Sequence, residues 1–211
     1  MKRFAIALCA GLVAIGAASA QEFSHFAFSG GAGFTQAVGD TGTRLDLGWN
    51  ARLGAGVNFS PYVGLMVNAG YDNMGVNPTT LANIGVPGGR MSVFSATLDP
   101  IVHLNPKGHA DFYVMGGFGL FHRYQEFTAP TVSVVTGFDP FFGFVPVGLP
   151  ANQVLASYSV NKPGWDVGAG VAFGHKFHGK FFAEARYVRI LMGERAPNDT
   201  EYLPVTFGFR W

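Results

Sequence analysis

Between Leu45 and Phe59 every odd position is apolar and every even position is polar or glycine. Leu45, Leu47, Trp49, Ala51, Leu53, Ala55, Val57 and Phe59 make one series; Asp46, Gly48, Asn50, Arg52, Gly54, Gly56 and Asn58 make the other. Successive side chains of a strand point to opposite faces, so this segment has one continuous apolar face and one polar or bare face. At about 3.3 Å per residue it exceeds the common strand of 5–6 residues and covers the 9–11 that a tilted strand needs to cross a bilayer.

The pattern recurs. Val63, Leu65, Val67, Ala69 and Tyr71 oppose Gly64, Met66, Asn68, Gly70 and Asp72. Phe94, Ala96, Leu98, Pro100, Val102 and Leu104 oppose Ser95, Thr97, Asp99, Ile101 and His103. Near the end of the chain Trp165 to Phe173, Phe181 to Val188 and Tyr202 to Trp211 alternate in the same way. Phe26 to Val38 and Phe112 to His122 are also strand-like, but glycines and aromatics blur their phase, and neither face is assigned. The total is eight strands. Ser60-Pro61, Asn105 to Gly108 and His175 to Gly179 read as tight turns, whereas the links near 39–44, 73–92, 123–163 and 192–200 are mostly longer. Short turns on one side and long loops on the other describe an all-β, eight-stranded, antiparallel, up-and-down transmembrane barrel. A soluble ligand-binding barrel has the same strand number but is apolar inside and polar outside; here one face carries Leu, Val, Phe and Trp, and the other Arg, Asp, Asn and Gly.

The start of the chain predicts export. Met1-Lys2-Arg3 is basic, Phe4 to Ala17 is almost wholly apolar, and Ala18-Ser19-Ala20 precedes Gln21. This is the pattern of a secretory signal peptide over residues 1–20, with Ala18 and Ala20 as the small residues read at cleavage. The barrel domain then occupies 21–211. The sole cysteine, Cys9, lies in the leader, so the mature part has no thiol for a disulfide or a metal. Without Lys2 and Arg3 the bases number 14 − 2 = 12 against 13 acids, and nothing suggests nucleic acid as a partner. Charged residues are 13% of the chain, about half the ~25% usual in soluble domains, while aromatics reach 15% and glycines number 30. No second apolar run is long enough for a membrane helix. Outer-membrane lipid is the expected surrounding, with Phe59, Tyr62, Tyr71, Tyr187, Phe209 and Trp211 placed for interface girdles.

Three stretches carry a family likeness: WDVGAGV from Trp165 to Val171, FAEARY from Phe182 to Tyr187, and YLPVTFGFRW from Tyr202 to Trp211. They resemble the last three strands of the OmpA/OmpW-like outer-membrane β-barrel superfamily, and the likeness extends over residues 21–211. It implies residence in the cell outer membrane and insertion by the barrel-assembly machinery, which in that family reads a last strand ending in an aromatic residue. Phe207, Phe209 and Trp211 match that signal, although Thr206 stands where glycine is frequent. The likeness goes no further than the barrel, so tethering to the cell wall is not implied.

Four charges fall near mid-strand on the polar faces: Arg52, Asp99, Glu184 and Arg186. The interior of an eight-stranded barrel is filled by side chains, and an unpaired charge there costs several kcal/mol. The expectation is a plug of salt bridges closing the lumen; the alternative is a gate whose pairs exchange to pass small hydrophobic or polar solutes. His25, His103, His109, His175 and His178 map to the periplasmic end, where they read as turn residues rather than a metal site because no carboxylate accompanies them. A lipid-modifying esterase needs Ser, His and an acid within reach. Ser24-His25 precede the first strand, and Ser157 and Ser159 have no neighbouring histidine, so no enzyme and no cofactor are expected. Gly168, Gly170 and Gly174 read as bare lumenal positions, not as a nucleotide loop. Segment 123–163 is too long and too aromatic for an idle connection. It is expected to fold as a lid over the mouth, or to meet the outer leaflet or a surface partner.

Overall fold

The computed structural model describes residues 24–174, 179–193 and 198–211. The proposed leader with Ala18, Ala20 and Cys9, and the histidines at 175 and 178, lie outside the described residues. Eight strands run in order: β1 Phe26–Ala37, β2 Gly48–Asn58, β3 Val63–Gly75, β4 Gly88–His103, β5 Ala110–Asp139, β6 Gly143–Phe173, β7 Lys180–Ile190 and β8 Thr200–Arg210. Each is antiparallel to its neighbours in sequence, and β1 closes on β8 from Ser29 opposite Arg210 to Ala37 opposite Tyr202. The up-and-down barrel expected from the alternation is the structure.

The faces follow the parity of the sequence. Leu53, Val67, Leu98 and Phe118 stand exposed on the outside, while Asn50, Asn68, Asp99 and Tyr113 are buried within. The two strands left unassigned now have faces: odd residues Ala27, Thr35 and Ala37 of β1, and Asp111, Tyr113, Met115 and Phe121 of β5, point inward. One end of the alternation is corrected. β2 begins at Gly48, and Leu45 is buried, bridged to Val76 in an apolar cluster at the barrel mouth. Past the strand start the chain turns over the rim, so parity no longer dictates which side a residue takes.

At the closed end the turns are short. Phe59 and Ser60 donate their N–H groups to the Val63 carbonyl, and the Ser60 hydroxyl oxygen accepts from the N–H of Tyr62 and Val63. At the other end the links are shorter than their sequence suggests because the strands run on. Helix α1 (Gly39–Gly42) lies between β1 and β2, and α2 (Pro78–Ile84) between β3 and β4. Asn77 caps α2 by accepting from the Thr79 N–H at 2.9 Å, Pro78 takes the first-turn position that needs no N–H, and Gly85 ends the helix at φ 68°.

Segment 123–163 is not a lid. β5 and β6 remain paired from Arg123 opposite Val160 to Asp139 opposite Gly143, with one bulge at Phe127/Thr128. β4 accompanies β5 only as far as Thr128, and β7 accompanies β6 only from Gly164. Beyond those points the two strands form a free-standing ribbon. Its residues explain it: Thr131, Val132, Val134, Val135 and Thr136 are β-branched, Pro140 sets the turn, and Gly143 closes it at φ 76°.

The exposed apolar belt generates a direct test. Val67 and Leu98 pair at mid-height on the outside. Leu98→Arg should cost about 2–4 kcal/mol in folding into lipid vesicles, measured by urea titration of tryptophan fluorescence, whereas Leu104→Arg beyond the end of β4 should cost about 1 kcal/mol or less. Equal small losses at both positions would contradict a lipid-facing belt.

Candidate functional site

The lumen is built in three layers. At the closed end Ala27, Met66, Ile101, Tyr113, Met115, Ala172 and Phe182 pack as one apolar cluster. Below the mouth a second joins Met74, Met91, Val93, Phe121, Val188, Ile190 and Tyr202 with Leu81 of α2. Between them lies a polar ring. The expectation of a polar interior holds best for this middle layer; toward each end most inward positions are apolar, with Asp111 at the closed rim and Ser92, Glu126 and Thr200 near the mouth as buried polar residues.

Arg186 is the hub. Its guanidinium contacts Glu184 at 2.5 Å through Nε, and Asp99 at 2.7 Å and Asp166 at 3.4 Å through Nη1. Asn68 and Thr97 donate to Asp99 at 2.6 and 2.9 Å. Tyr113 donates to Glu184 at 2.9 Å, and Arg210 approaches the same carboxylate at 3.7 Å while lying over the Tyr113 ring. Arg52 pairs with Asp72 at 3.4 Å, and Thr35 donates to Asp72 at 2.6 Å. Asn50 ties three strands together, donating to the Phe34 and Val205 carbonyls and accepting from Thr206. All four charges singled out in the sequence are buried here and paired. The structure brings Asp99, Glu184 and Arg186 into one cluster and sets Arg52 beside it with Asp72.

Asp72, Asp166, Arg210 and Tyr113 complete the ring beyond the four charges that mid-strand position singles out. The first three sit at inward parity on strands whose faces the alternation already showed, so the signal was there; Tyr113 was hidden by the blurred phase of β5. Two glycines make the room. A Cβ on Gly168 would lie 2.7 Å from Cγ of Arg186, and one on Gly170 would lie 2.4 Å from the Tyr113 hydroxyl oxygen. The reading of these glycines as bare lumenal positions is correct.

At the closed rim, His103 Nδ1 lies 2.8 Å from Asp111, and Lys180 reaches the same carboxylate at 3.4 Å. The expectation that no carboxylate accompanies the histidines is therefore wrong for His103, since β5 was the strand whose face could not be read. The Ser24 hydroxyl donates to the Phe26 carbonyl at 2.6 Å. At the outer mouth a cavity of about 280 Å³ ends on Leu45, Met91 and Met192 and is walled by Arg44, Arg123 and Tyr158. Arg123 donates to Thr200 and Tyr158, and Arg90 meets Glu126 at 2.6 Å, bracing the base of the ribbon. Beside the mouth the Met192 backbone N–H and then Arg189 hold the Asp199 carboxyl below the usual carboxylate range.

On the outside, the rings of Trp49 and Tyr71 lie 5.3 Å apart and those of Trp165 and Tyr187 5.6 Å apart, toward the mouth. Phe181 and Phe209 meet at 5.7 Å near the closed end, and Phe207, Phe209 and Trp211 all face outward. Two aromatic girdles thus bracket an apolar belt around a closed barrel. The model of the outer membrane protein beta-barrel domain matches residues 5–211. The chain belongs to that family. It is an outer-membrane β-barrel protein. Among solved structures it is similar to Neisserial surface protein A, at 16% identity and a TM-score of 0.55, over 89% of this chain and 96% of that one. The attachment invasion locus protein Ail of Yersinia pestis, solved with a heparin analogue, aligns at 16% identity and 0.47, over 89% and 99%. The N-terminal barrel domain of Pseudomonas aeruginosa OprF aligns at 11% and 0.43, over 89% and 98%. No curated protein sequence matches the chain.

Removing the hub should be costly. Arg186→Met leaves three acids without their shared cation, and should destabilise the barrel by roughly 3–5 kcal/mol, seen as a lower temperature for the shift from the folded to the unfolded band on SDS gels. Gly170→Ala should also lower that temperature, by pushing the Tyr113 hydroxyl off Glu184.

Proposed function

We propose that this outer-membrane barrel is a closed pedestal for a surface-interaction element, with no transport and no chemistry of its own. The observation that carries the reading is the lumen. A ring of paired charges spans the interior between two apolar clusters, and the cavity at the mouth ends on the upper cluster. A solute would have to separate Arg186 from three acids and then cross Met66, Ile101, Met115 and Phe182. The element displayed is the β5–β6 ribbon, whose side chains are mostly exposed. Loops carried on a rigid barrel are where such proteins place recognition. On the same reading, the outward face formed by Phe207, Phe209 and Trp211 is what the barrel-assembly machinery meets before β8 closes on β1.

A gate remains the competing account, and Arg52 favours it most, because Asp72 is its one charged partner among the described residues. In planar bilayers the wild-type protein should give no steady single-channel current, and Arg52→Ala should leave that baseline unchanged. Stable openings in the wild type, or conductance appearing in Arg52→Ala, would replace the pedestal with a channel.

A further inference from the structure

The ribbon has a composition unlike the rest of the outer surface. From Phe127 to Asn161 the sequence holds no Lys, Arg or His and a single acid, Asp139. At its tip Phe138, Phe141, Phe142 and Phe144 are 70, 91, 82 and 77% exposed, and the Phe138 and Phe144 rings meet edge to face at 5.5 Å. Four aromatic rings displayed on an uncharged stalk need an apolar or interfacial surface to cover them.

The ribbon's edges narrow the choice. A two-stranded ribbon exposes two rows of backbone groups, which ordinarily invite a third strand. Pro130, Pro146 and Pro150 stand opposite Asn152, Thr136 and Val132, all pairs of one parity. Proline has no N–H, so these pairs are the ones without mutual hydrogen bonds, and their backbone points away from the partner strand. Three outward positions therefore lack a donor, two on the β6 edge and one on the β5 edge. Strand addition is blunted on both sides, and what remains available is the side-chain surface of the tip.

Height decides which surface. Phe118 pairs with Trp165 at the outer girdle, and β5 continues from there to Asp139, 139 − 118 = 21 residues further. At about 3.3 Å per residue that is roughly 70 Å of strand, long enough to carry the tip clear of the leaflet holding the barrel even at a tilt of about 45°. We propose that the Phe138–Phe144 tip docks on a zwitterionic lipid bilayer facing the cell, seating its rings at headgroup depth. With no basic residue between Phe127 and Asn161, anionic headgroups offer the tip no added attraction and meet the repulsion of Asp139. Only the turn enters, because the open edges behind it cannot be desolvated. This deepens the surface-interaction reading and rests on it; channel activity would overturn that reading while leaving the docking measurement independent.

The test uses the full chain in phosphatidylcholine nanodiscs, with Cys9→Ser so that Phe142→Cys gives a single site for an environment-sensitive fluorophore. Emission should rise only when phosphatidylcholine vesicles are added, and the nanodiscs should float with them. Phe141→Ser with Phe144→Ser, in the unlabelled chain, should weaken that capture by about tenfold or more, without changing the gel shift of the folded barrel. Bright emission before vesicles are added, unchanged on dilution of the nanodiscs, would place the tip in its own bilayer and overturn the proposal. Clustering with protein-bearing nanodiscs but not with empty phosphatidylcholine nanodiscs would assign the tip to a second copy of the chain, and no change in emission or flotation would remove lipid as the occupant.

Discussion

The closure of β1 on β8 is the constraint from which the rest follows. In hydrocarbon there is no water to satisfy a strand edge, and each unpaired backbone group costs several kcal/mol, so a sheet that crosses the membrane must have no edges there. Eight strands are just enough to close around side chains. The circle is then too tight for an open channel, and every inward position must be glycine, small, or fitted to what lies opposite. Gly168 and Gly170 on β6 illustrate the rule, since Arg186 and Tyr113 occupy the space that their side chains would take.

Filling a narrow tube still leaves a choice between apolar packing and charge. This lumen uses both, in layers. Replacing a buried ion cluster by apolar residues of equal volume is often neutral or stabilising, so the ring around Arg186 is poor evidence for stability as such. Its geometry points to specificity. Arg186 on β7 reaches Asp99 on β4, and Thr206 on β8 reaches Asn50 on β2, pairs that are not neighbours in the sheet. A slip of one residue in any of these strands would turn a charge into lipid, so the ring penalises wrong registers far more than it rewards the right one.

Most of this was legible from alternation, because period two is a local property and survives without knowledge of the fold. The outward and inward faces of β2, β3, β4, β6, β7 and β8 follow from it, and so does the inward placement of Arg52, Asp99, Glu184 and Arg186. What failed had physical causes. Leu45 lies past the strand end, where the chain leaves the pleat. In β5 the run Met115-Gly116-Gly117-Phe118 sets two bare positions together and hides the phase that would have exposed Tyr113 and Asp111. Counted by composition, the prolines and glycines of the ribbon are turn signals, and the segment reads as a loop. Counted by parity, Pro130, Pro146 and Pro150 fit an edge that gives up no internal hydrogen bond.

That contrast joins the two halves of the molecule. Inside the membrane the chain removes its edges by closing the sheet; outside, β5 and β6 continue without neighbours and the edges return. Water can satisfy them there, so the ribbon is permitted, and the danger shifts from unpaired backbone to unwanted pairing with another strand. Proline answers that danger at no cost to the ribbon's own ladder, whereas charged side chains, the other common deterrent, are absent from Phe127 to Asn161 save for Asp139. An uncharged stalk with proline-blunted edges keeps strands away while leaving the apolar tip available. The same backbone rule that seals the barrel therefore shapes the one part of the chain that reaches beyond it.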